Sequence, residues 1–321
     1  MKKSYIILAL TLISTVLVIS ACSQPITGPT TGTGSSLTPL QVLQNSANAM
    51  QQLKSAHVEI QSTNSVQSSN ATATVQTPTA TEVTGTPTAT ATPASSTPIP
   101  TTYSLSLKGS GDEALPDQEQ LNLTINQNTH LAEIVQGNKV YVQNAQGQWY
   151  VLDKSAFQGI VGNPFAGVNF DQNSLLSLIQ HTQITDHGTQ TLNGQNLRHI
   201  TATLDKEGVR QLLNDNPQLA GSLGGQNIDA MLNNTKSFLS SVDVWIDESQ
   251  FYVHRTELKL NLIADTSGLN GTPTAAPLPS SVTTNLDTIV DLSKFNVPVV
   301  ITPPTNAIST NNPGAIFGLG A

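Results

Sequence analysis

The chain has 321 residues and a formal net charge of −8, because 13 lysines and arginines face 21 aspartates and glutamates. So few cations exclude the basic stripe that neutralises phosphates, and we expect no nucleic-acid partner. The single cysteine excludes an internal disulfide, so stability must come from a hydrophobic core.

The N-terminus has the organisation of a bacterial lipoprotein signal. Two lysines after the first methionine, an apolar stretch over residues 5–19 and the small pair Ser20-Ala21 precede Cys22. This segment resembles a lipobox, which implies that Cys22 is diacylated and becomes the first mature residue. Two acyl chains anchor stably where one is marginal, since each buried methylene contributes about 0.8 kcal/mol. We predict a signal peptide over 1–21 and a location on the extracytoplasmic face of the bacterial cell membrane.

An ordinary secretory signal and a single membrane helix are the alternatives for this segment. The apolar stretch is short for a membrane span of about 20 residues, and polar Ser23-Gln24 follow the cysteine at once. The lipoprotein interpretation is therefore preferred.

Segments rich in Thr, Ser, Pro, Gly and Ala divide the rest of the chain. Residues 22–36 predict a flexible tether. Residues 68–100 hold almost no large apolar side chain, so burial cannot offset the entropy of ordering them, and 265–281 form a shorter break of the same kind. Residues 303–321 predict a poorly ordered tail. One domain over 37–302 remains, with about 200 structured residues, an ordinary size for one core.

The first element of this domain is predicted to be a helix. Thr38 is its N-cap, Pro39 its first residue, and Gln41 completes a capping box. The helix is predicted to end near Ser55, where the sequence changes to an alternation of period two. Its predicted apolar face consists of Leu40, Leu43, Ala47, Met50 and Leu53.

Apolar and polar residues alternate through most of the following chain, which is typical of strands. Turns are predicted between strands at Gly137-Asn138 and Gln146-Gly147. The predicted strands cover residues 103–107, 121–125, 140–142, 149–151, 197–204, 242–246, 251–263 and 286–292.

Three short helices are predicted to interrupt these strands. Asp171 can cap the first, Asp205 the second, which ends at Asn216-Pro217, and the third lies around Ile228. The sum is an α+β fold: a single curled antiparallel sheet, an incomplete β-barrel, with helices packed against one side.

At this point the chain resembles the LppX/LprG-type bacterial lipoproteins. The resemblance rests on the lipobox, the tether, the opening helix and the segments SAHVEIQST, GNKVYVQNAQGQWYVLD and VDVWIDESQFYVHRTELKL, and it covers residues 37–299. It implies a LolA/LolB-like fold, in which helices cover an incomplete β-barrel over an apolar cavity. It also implies that the domain binds or carries an acyl lipid or glycolipid. The insert at 68–100 departs from the usual short connection.

Twelve apolar side chains are predicted to contact the lipid. For each of them ordinary core packing is the alternative, because alternation fixes the face and not whether that face is filled. The predicted residues are Met50, Leu53, Val58, Ile60, Leu105, Leu107, Leu123, Ile125, Val142, Val244, Ile246 and Leu260.

Two functions therefore remain open at the level of the sequence. The first is a monomeric, membrane-anchored lipoprotein that binds or carries acylated lipids, since buried methylenes at about 0.8 kcal/mol each can hold two acyl chains without a charged contact. The second is a structural or interaction lipoprotein of the cell envelope with a filled core and no lipid ligand.

No motif predicts catalysis, a cofactor or a metal. Histidines with nearby carboxylates, such as His57 with Glu59, do not form a His-Glu-x-x-His helix, and neighbouring residues of a strand face opposite sides. Solvated histidines are the preferred interpretation. Gly109-Ser110-Gly111 has the spacing of a dinucleotide fingerprint, but a strand and not a helix is predicted to follow it.

Overall fold

The computed structural model describes residues 36–69, 102–157, 182–215, 228–265, 281–312 and residue 316, all within the unit Gly32–Ala321. The predicted signal peptide, Cys22, most of the tether and of both inserts, and the helix predicted after Asp171 lie outside these residues. Within the described ranges, no helix has the length and apolarity of a membrane span.

Twelve strands form one sheet in the described part of the chain, in the order β12-β6-β5-β4-β3-β2-β1-β11-β10-β9-β8-β7. The pairs are antiparallel except for the parallel pair of β12 with β6. The end strands β12 and β7 do not pair with each other among the described strands, so the sheet is open. The strands are β1 (Ser55–Ser69), β2 (Thr102–Ala114), β3 (Gln118–Ile125), β4 (Thr129–Gln136), β5 (Lys139–Gln143), β6 (Trp149–Asp153), β7 (Thr182–Leu192), β8 (Gln195–Leu204), β9 (Thr235–Ile246), β10 (Val253–Asp265), β11 (Ser281–Ser293) and β12 (Ile308–Ser309).

Four helices accompany the sheet in the described ranges: α1 (Pro39–Gln51), α2 (Lys154–Phe157), α3 (Lys206–Asp215) and α4 (Ile228–Asn233). With the sheet they make the fold α+β, as the sequence predicts.

The predicted start of α1 is confirmed in atomic detail. The Thr38 Oγ1 accepts a hydrogen bond from the Gln41 N–H at 3.3 Å, and the Gln41 Oε1 accepts one from the Thr38 N–H at 2.9 Å. The predicted apolar face needs a correction, because Val42 is fully buried while Leu40 is 39% exposed. Leu40 lies in the first turn, and the buried stripe of α1 runs through Val42 and Ala47.

The cap predicted for α3 is also confirmed. The Asp205 Oδ1 accepts a hydrogen bond from the Gly208 N–H at 2.7 Å, which satisfies a donor that no helical carbonyl can reach. The helix buries Val209, Leu212 and Leu213.

One face of the sheet is apolar and the other polar, as β1 illustrates. Val58 and Ile60 are 1% and 2% exposed, whereas Glu59 between them is exposed. We name the face of Val58 and Ile60 the inner face and the face of Glu59 the outer face. Directly opposed residues of an antiparallel pair lie on the same face, so the strand register extends both names across the sheet.

Two glycines on the inner face of β2 let β3 approach closely. A Cβ atom on Gly111 would lie 1.8 Å from the Gln120 carbonyl oxygen, and one on Gly109 would lie 2.4 Å from the Leu123 Cδ2. Glycine inside a strand is typical of a tight bend or a close backbone approach. These glycines therefore belong to the sheet and not to a phosphate-binding turn, because β3 follows β2 directly.

Three residues of the segment predicted as a poorly ordered tail lie against the domain. Ile308–Ser309 forms β12 against β6, and Ile316 is only 2% exposed. These isoleucines lie in a segment rich in Asn, Gly and Pro, so local composition does not reveal that they find apolar or strand partners in the domain.

Candidate functional site

The ten predicted lipid contacts that belong to strands all lie on the inner face. The register connects them: Ile60 is opposite Gly109, and Gly109 is opposite Leu123. On the other side of β1, Ile60 is opposite Val290, which is opposite Thr256, and Thr256 is opposite Val244. Alternation and pairing thus gather on one surface residues as far apart in sequence as Val58 and Leu260.

The inner face is built from two groups of buried side chains. The helix-side cluster combines β8 to β11 with residues of α1, α3 and α4, and consists of Val42, Ile200, Leu204, Val209, Leu212, Leu213, Leu232, Val242, Val244, Ile246, Val253, Leu258, Leu260, Leu262 and Leu286. The strand cluster covers β1 to β6 and part of β11, and consists of Val58, Ile60, Leu107, Leu121, Leu123, Leu131, Val135, Val140, Val142, Leu152, Val290 and Ile316.

The predicted contacts divide between these clusters. Val244, Ile246 and Leu260 belong to the helix-side cluster, and Met50 packs against it partly buried. The strand cluster contains five of them, Val58, Ile60, Leu107, Leu123 and Val142, and Ile125 packs against it. Leu53 is buried and Leu105 is partly buried, but neither is a member of these two clusters.

Helices cover the two clusters unequally in the described part of the chain. The helix-side cluster receives Val42 from α1, Val209 from α3 and Leu232 from α4. The strand cluster and the residues packed on it receive, from outside the strands, Ala156 of α2 and Ile316. The strand cluster is therefore an apolar sheet surface with little helical cover among the described residues.

Three glutamates also lie on the inner face. Glu113 is opposite Glu119, and Glu133 is opposite Leu121 of the strand cluster. Glu119 and Glu133 are 9% and 6% exposed. The prediction of a uniformly apolar inner face missed these residues, although Glu119 shares the alternation of Leu121 and Leu123.

Burial holds the carboxyl groups of Glu133 and Glu113 towards their neutral form, because it raises the pKa of each. Burial raises the pKa of Glu133 well above its ordinary value, the charge of Glu119 raises it further, and the charge of Lys154 lowers it. Burial also raises the pKa of Glu113. A neutral carboxyl group both donates and accepts hydrogen bonds, so this edge of the strand cluster offers polar contacts without a full charge.

A buried arginine occupies the inner face at the other end of the sheet. Arg198 is opposite Ile246, and its side chain is 8% exposed. Its Nε donates to the Asp186 Oδ1 at 2.8 Å and its Nη1 to the Glu248 Oε1 at 3.0 Å. Burial raises the pKa of Asp186, but hydrogen bonds from Arg198 and the Gly188 N–H outweigh it and keep that pKa below its ordinary value. Two carboxylates thus neutralise this cation, and we assign it a structural role.

Comparison with known proteins finds similar solved structures. No protein-family model and no curated protein matches the chain. The lipoprotein LppX of Mycobacterium tuberculosis is 16% identical, with 82% of this chain and 97% of that chain covered and a TM-score of 0.41. LprF of Mycobacterium bovis is also 16% identical, with 83% and 96% covered and a TM-score of 0.39. The chain is similar to these lipoproteins.

A LolA superfamily protein of Nitrosomonas europaea is 9% identical, with 83% of this chain and 96% of that chain covered and a TM-score of 0.23. These solved structures are of the same kinds of protein that the sequence resembles.

Proposed function

We propose that this chain is a membrane-anchored extracytoplasmic lipoprotein that binds or carries an acylated lipid on the inner face of its sheet, without catalysis. The observation that carries the proposal is the strand cluster, a continuous apolar surface on the inner face of β1 to β6. Acyl chains suit such a surface, because each methylene removed from water contributes about 0.8 kcal/mol.

The proposed ligand lies along Val58, Leu123 and Val142, with its polar end near the carboxyl groups of Glu119 and Glu133. Both glutamates face the same side as the strand cluster. A head group with hydroxyl or ester oxygens finds hydrogen-bond partners there, while the chains contact hydrocarbon alone. In this proposal α1, α3 and α4 form the rest of the cavity wall, and diacylated Cys22 holds the domain at the membrane.

One observation favours the second candidate, a structural lipoprotein with a filled core. Val58 and Val142 are 1% and 0% exposed without a ligand. Side chains already in full contact with protein gain little from a lipid, so in this case the inner face would serve stability alone.

Native mass spectrometry with lipid extraction distinguishes these functions. The protein is made without its anchor by Cys22→Ser, and we expect about one acyl lipid per chain. Val142→Trp fills the strand cluster and should reduce the bound lipid, whereas Leu239→Trp, on a side chain that is 60% exposed, should not. Circular dichroism shows whether both variants fold. Lipid-free protein that also ignores added fluorescent fatty-acyl probes would establish the filled core.

A further inference from the structure

Polar side chains from three neighbouring strands converge on the outer face, on the side of the sheet opposite the helix-side cluster. His187 of β7, His199 of β8 and Asp243 of β9 each offer one nitrogen or oxygen atom, and these atoms lie within 4.8 Å of one another. The proposed lipid site lies on the inner face, so it does not use this group.

Hydrogen bonds link the group through a threonine. The His199 Nε2 lies 2.8 Å from the Asp243 Oδ1. The Thr201 hydroxyl donates to the same Asp243 oxygen, and the His187 Nε2 lies 2.8 Å from the Thr201 Oγ1. The Thr201 hydroxyl group therefore bridges His187 and Asp243, and Asp243 also contacts His199.

A β-bulge places His187 in this group. Asp186 is opposite Ile200 and Gly188 is opposite His199, so His187 is the extra residue of β7. Bulges re-aim a side chain and are frequent beside functional sites. The Asp186 Oδ1 accepts a hydrogen bond from the Gly188 N–H at 2.9 Å, which stabilises the bulge.

Ring stacking orients both imidazoles. The centroids of His187 and His199 are 4.3 Å apart with 21° between the ring planes, and those of His199 and Trp245 are 4.3 Å apart with 4° between the planes. His199 is therefore held between two rings while its Nε2 points to Asp243.

The geometry points to a binding site for a divalent transition-metal ion, with His187 Nε2, His199 Nε2 and Asp243 Oδ1 as ligands. Two imidazoles and a carboxylate suit zinc, nickel and copper better than magnesium or calcium, which prefer oxygen ligands. Three protein ligands leave a fourth tetrahedral position for water.

The site needs small side-chain movements to close on an ion. Zinc bonds of about 2.0–2.1 Å place tetrahedral ligand atoms about 3.3 Å apart. His187 is exposed and can rotate inwards, whereas the side chains of His199 and Asp243 are each 13% exposed and are held by their neighbours.

Charged side chains of the next strand flank the site. On β10, Glu257 is opposite Asp243 and forms an ion pair with Lys259 at 2.6 Å, which balances the nearby charge.

Isothermal titration with zinc chloride tests the site, on Cys22→Ser protein that carries no histidine tag and has been freed of metal by chelation. We expect one zinc per chain, and binding at least about tenfold weaker in His187→Ala and in Asp243→Asn, because even partners outside the ligand set change metal affinity by 10–100-fold. His130→Ala, on an exposed outer-face histidine of β4, is the matched control and should bind zinc like the parent.

Circular dichroism confirms that each variant is folded. If Asp243→Asn does not fold, the comparison of the parent with His187→Ala still tests the zinc site, because His187 is exposed. No zinc binding by the parent, or equal binding by parent and His187→Ala, would overturn the proposal. Neither result depends on the presence of lipid, so the test is separate from that of the proposed function.

Discussion

At the residue scale, the most unusual feature is a buried carboxyl group on an apolar sheet face. The Glu133 Oε2 has no hydrogen-bond partner among the described residues, and the side chain lies beside Leu131 and Val135 of the strand cluster. A buried group of this kind costs free energy unless a ligand, water or proton compensates it. Burial raises the pKa of Glu133, so its carboxyl group keeps the proton to a higher pH in the folded state than in the unfolded chain.

This raised pKa has a definite consequence for stability against pH. At acid pH, Glu133 is protonated in both states and has no linkage effect. As the pH rises above the ordinary pKa of a glutamate, the unfolded chain loses this proton first. The folded state therefore loses stability until the pH passes the raised pKa of Glu133 in the folded protein.

We therefore predict that Glu133→Gln removes this loss. At pH 8 its midpoint of thermal unfolding should exceed that of the parent by about 2–4 °C for each kcal/mol recovered, and the difference should shrink towards pH 4. Thermal melts across this range provide the measurement. Glu59→Gln, on the exposed outer face, is the control and should follow the parent. A constant difference at every pH would contradict the titration of Glu133.

At the scale of elements, caps and turns follow most directly from the sequence. Helix α1 begins where Thr38 and Gln41 predict, because a capping box is a contact between near neighbours in the chain. The turn at Gly137-Asn138 is likewise where the sequence places it, and Gly137 has a φ of +58° that favours glycine.

The capping box leads to a prediction for α1. Thr38→Ala should lower the free energy of unfolding by about 1 kcal/mol, because the Gln41 N–H loses its acceptor. Thr38→Ser keeps a hydroxyl group and should cost much less. Urea unfolding of both variants measures the difference, and equal losses would indicate that the methyl group of Thr38 matters more than its hydroxyl.

Strands were predicted well only where one face of the strand is buried and the other is exposed to solvent. The prediction missed β4, because residues 131–135 are all buried and show no alternation. It also missed β7, an edge strand whose side chains are mostly polar and exposed.

Local sequence patterns also predict the candidate sites only in part. Alternation places Val58 and Val244 on one face, but the grouping of His187 with Asp243 depends on strand order and on a bulge, which local patterns do not encode. Whether the inner face is filled depends on packing over the whole domain, and alternation carries no information about it.

At the scale of the whole molecule, the proposed lipid anchor at Cys22 would decide where the domain works. We predict that Cys22→Ser moves the protein from the membrane fraction to the soluble fraction, because two acyl chains supply far more free energy than a tether can. Cell fractionation with immunodetection is the measurement, and Ser23→Ala is the control that should remain with the membrane. A serine variant that still sediments with membranes would show that another segment holds the protein there.

The sheet of the described residues has one more consequence, which concerns its two end strands, β7 and β12. Unpaired backbone groups at a sheet edge can template pairing with another chain and so start aggregation. At one edge the bulge and polar side chains of β7 discourage this. At the other, β12 pairs with Tyr150 and Val151 of β6, and the Thr310 N–H donates to the Val151 carbonyl at 3.0 Å. The proposed membrane anchor would crowd neighbouring copies into two dimensions. We therefore expect that removing this short C-terminal segment would leave the β6 edge open to pairing with another copy of the chain.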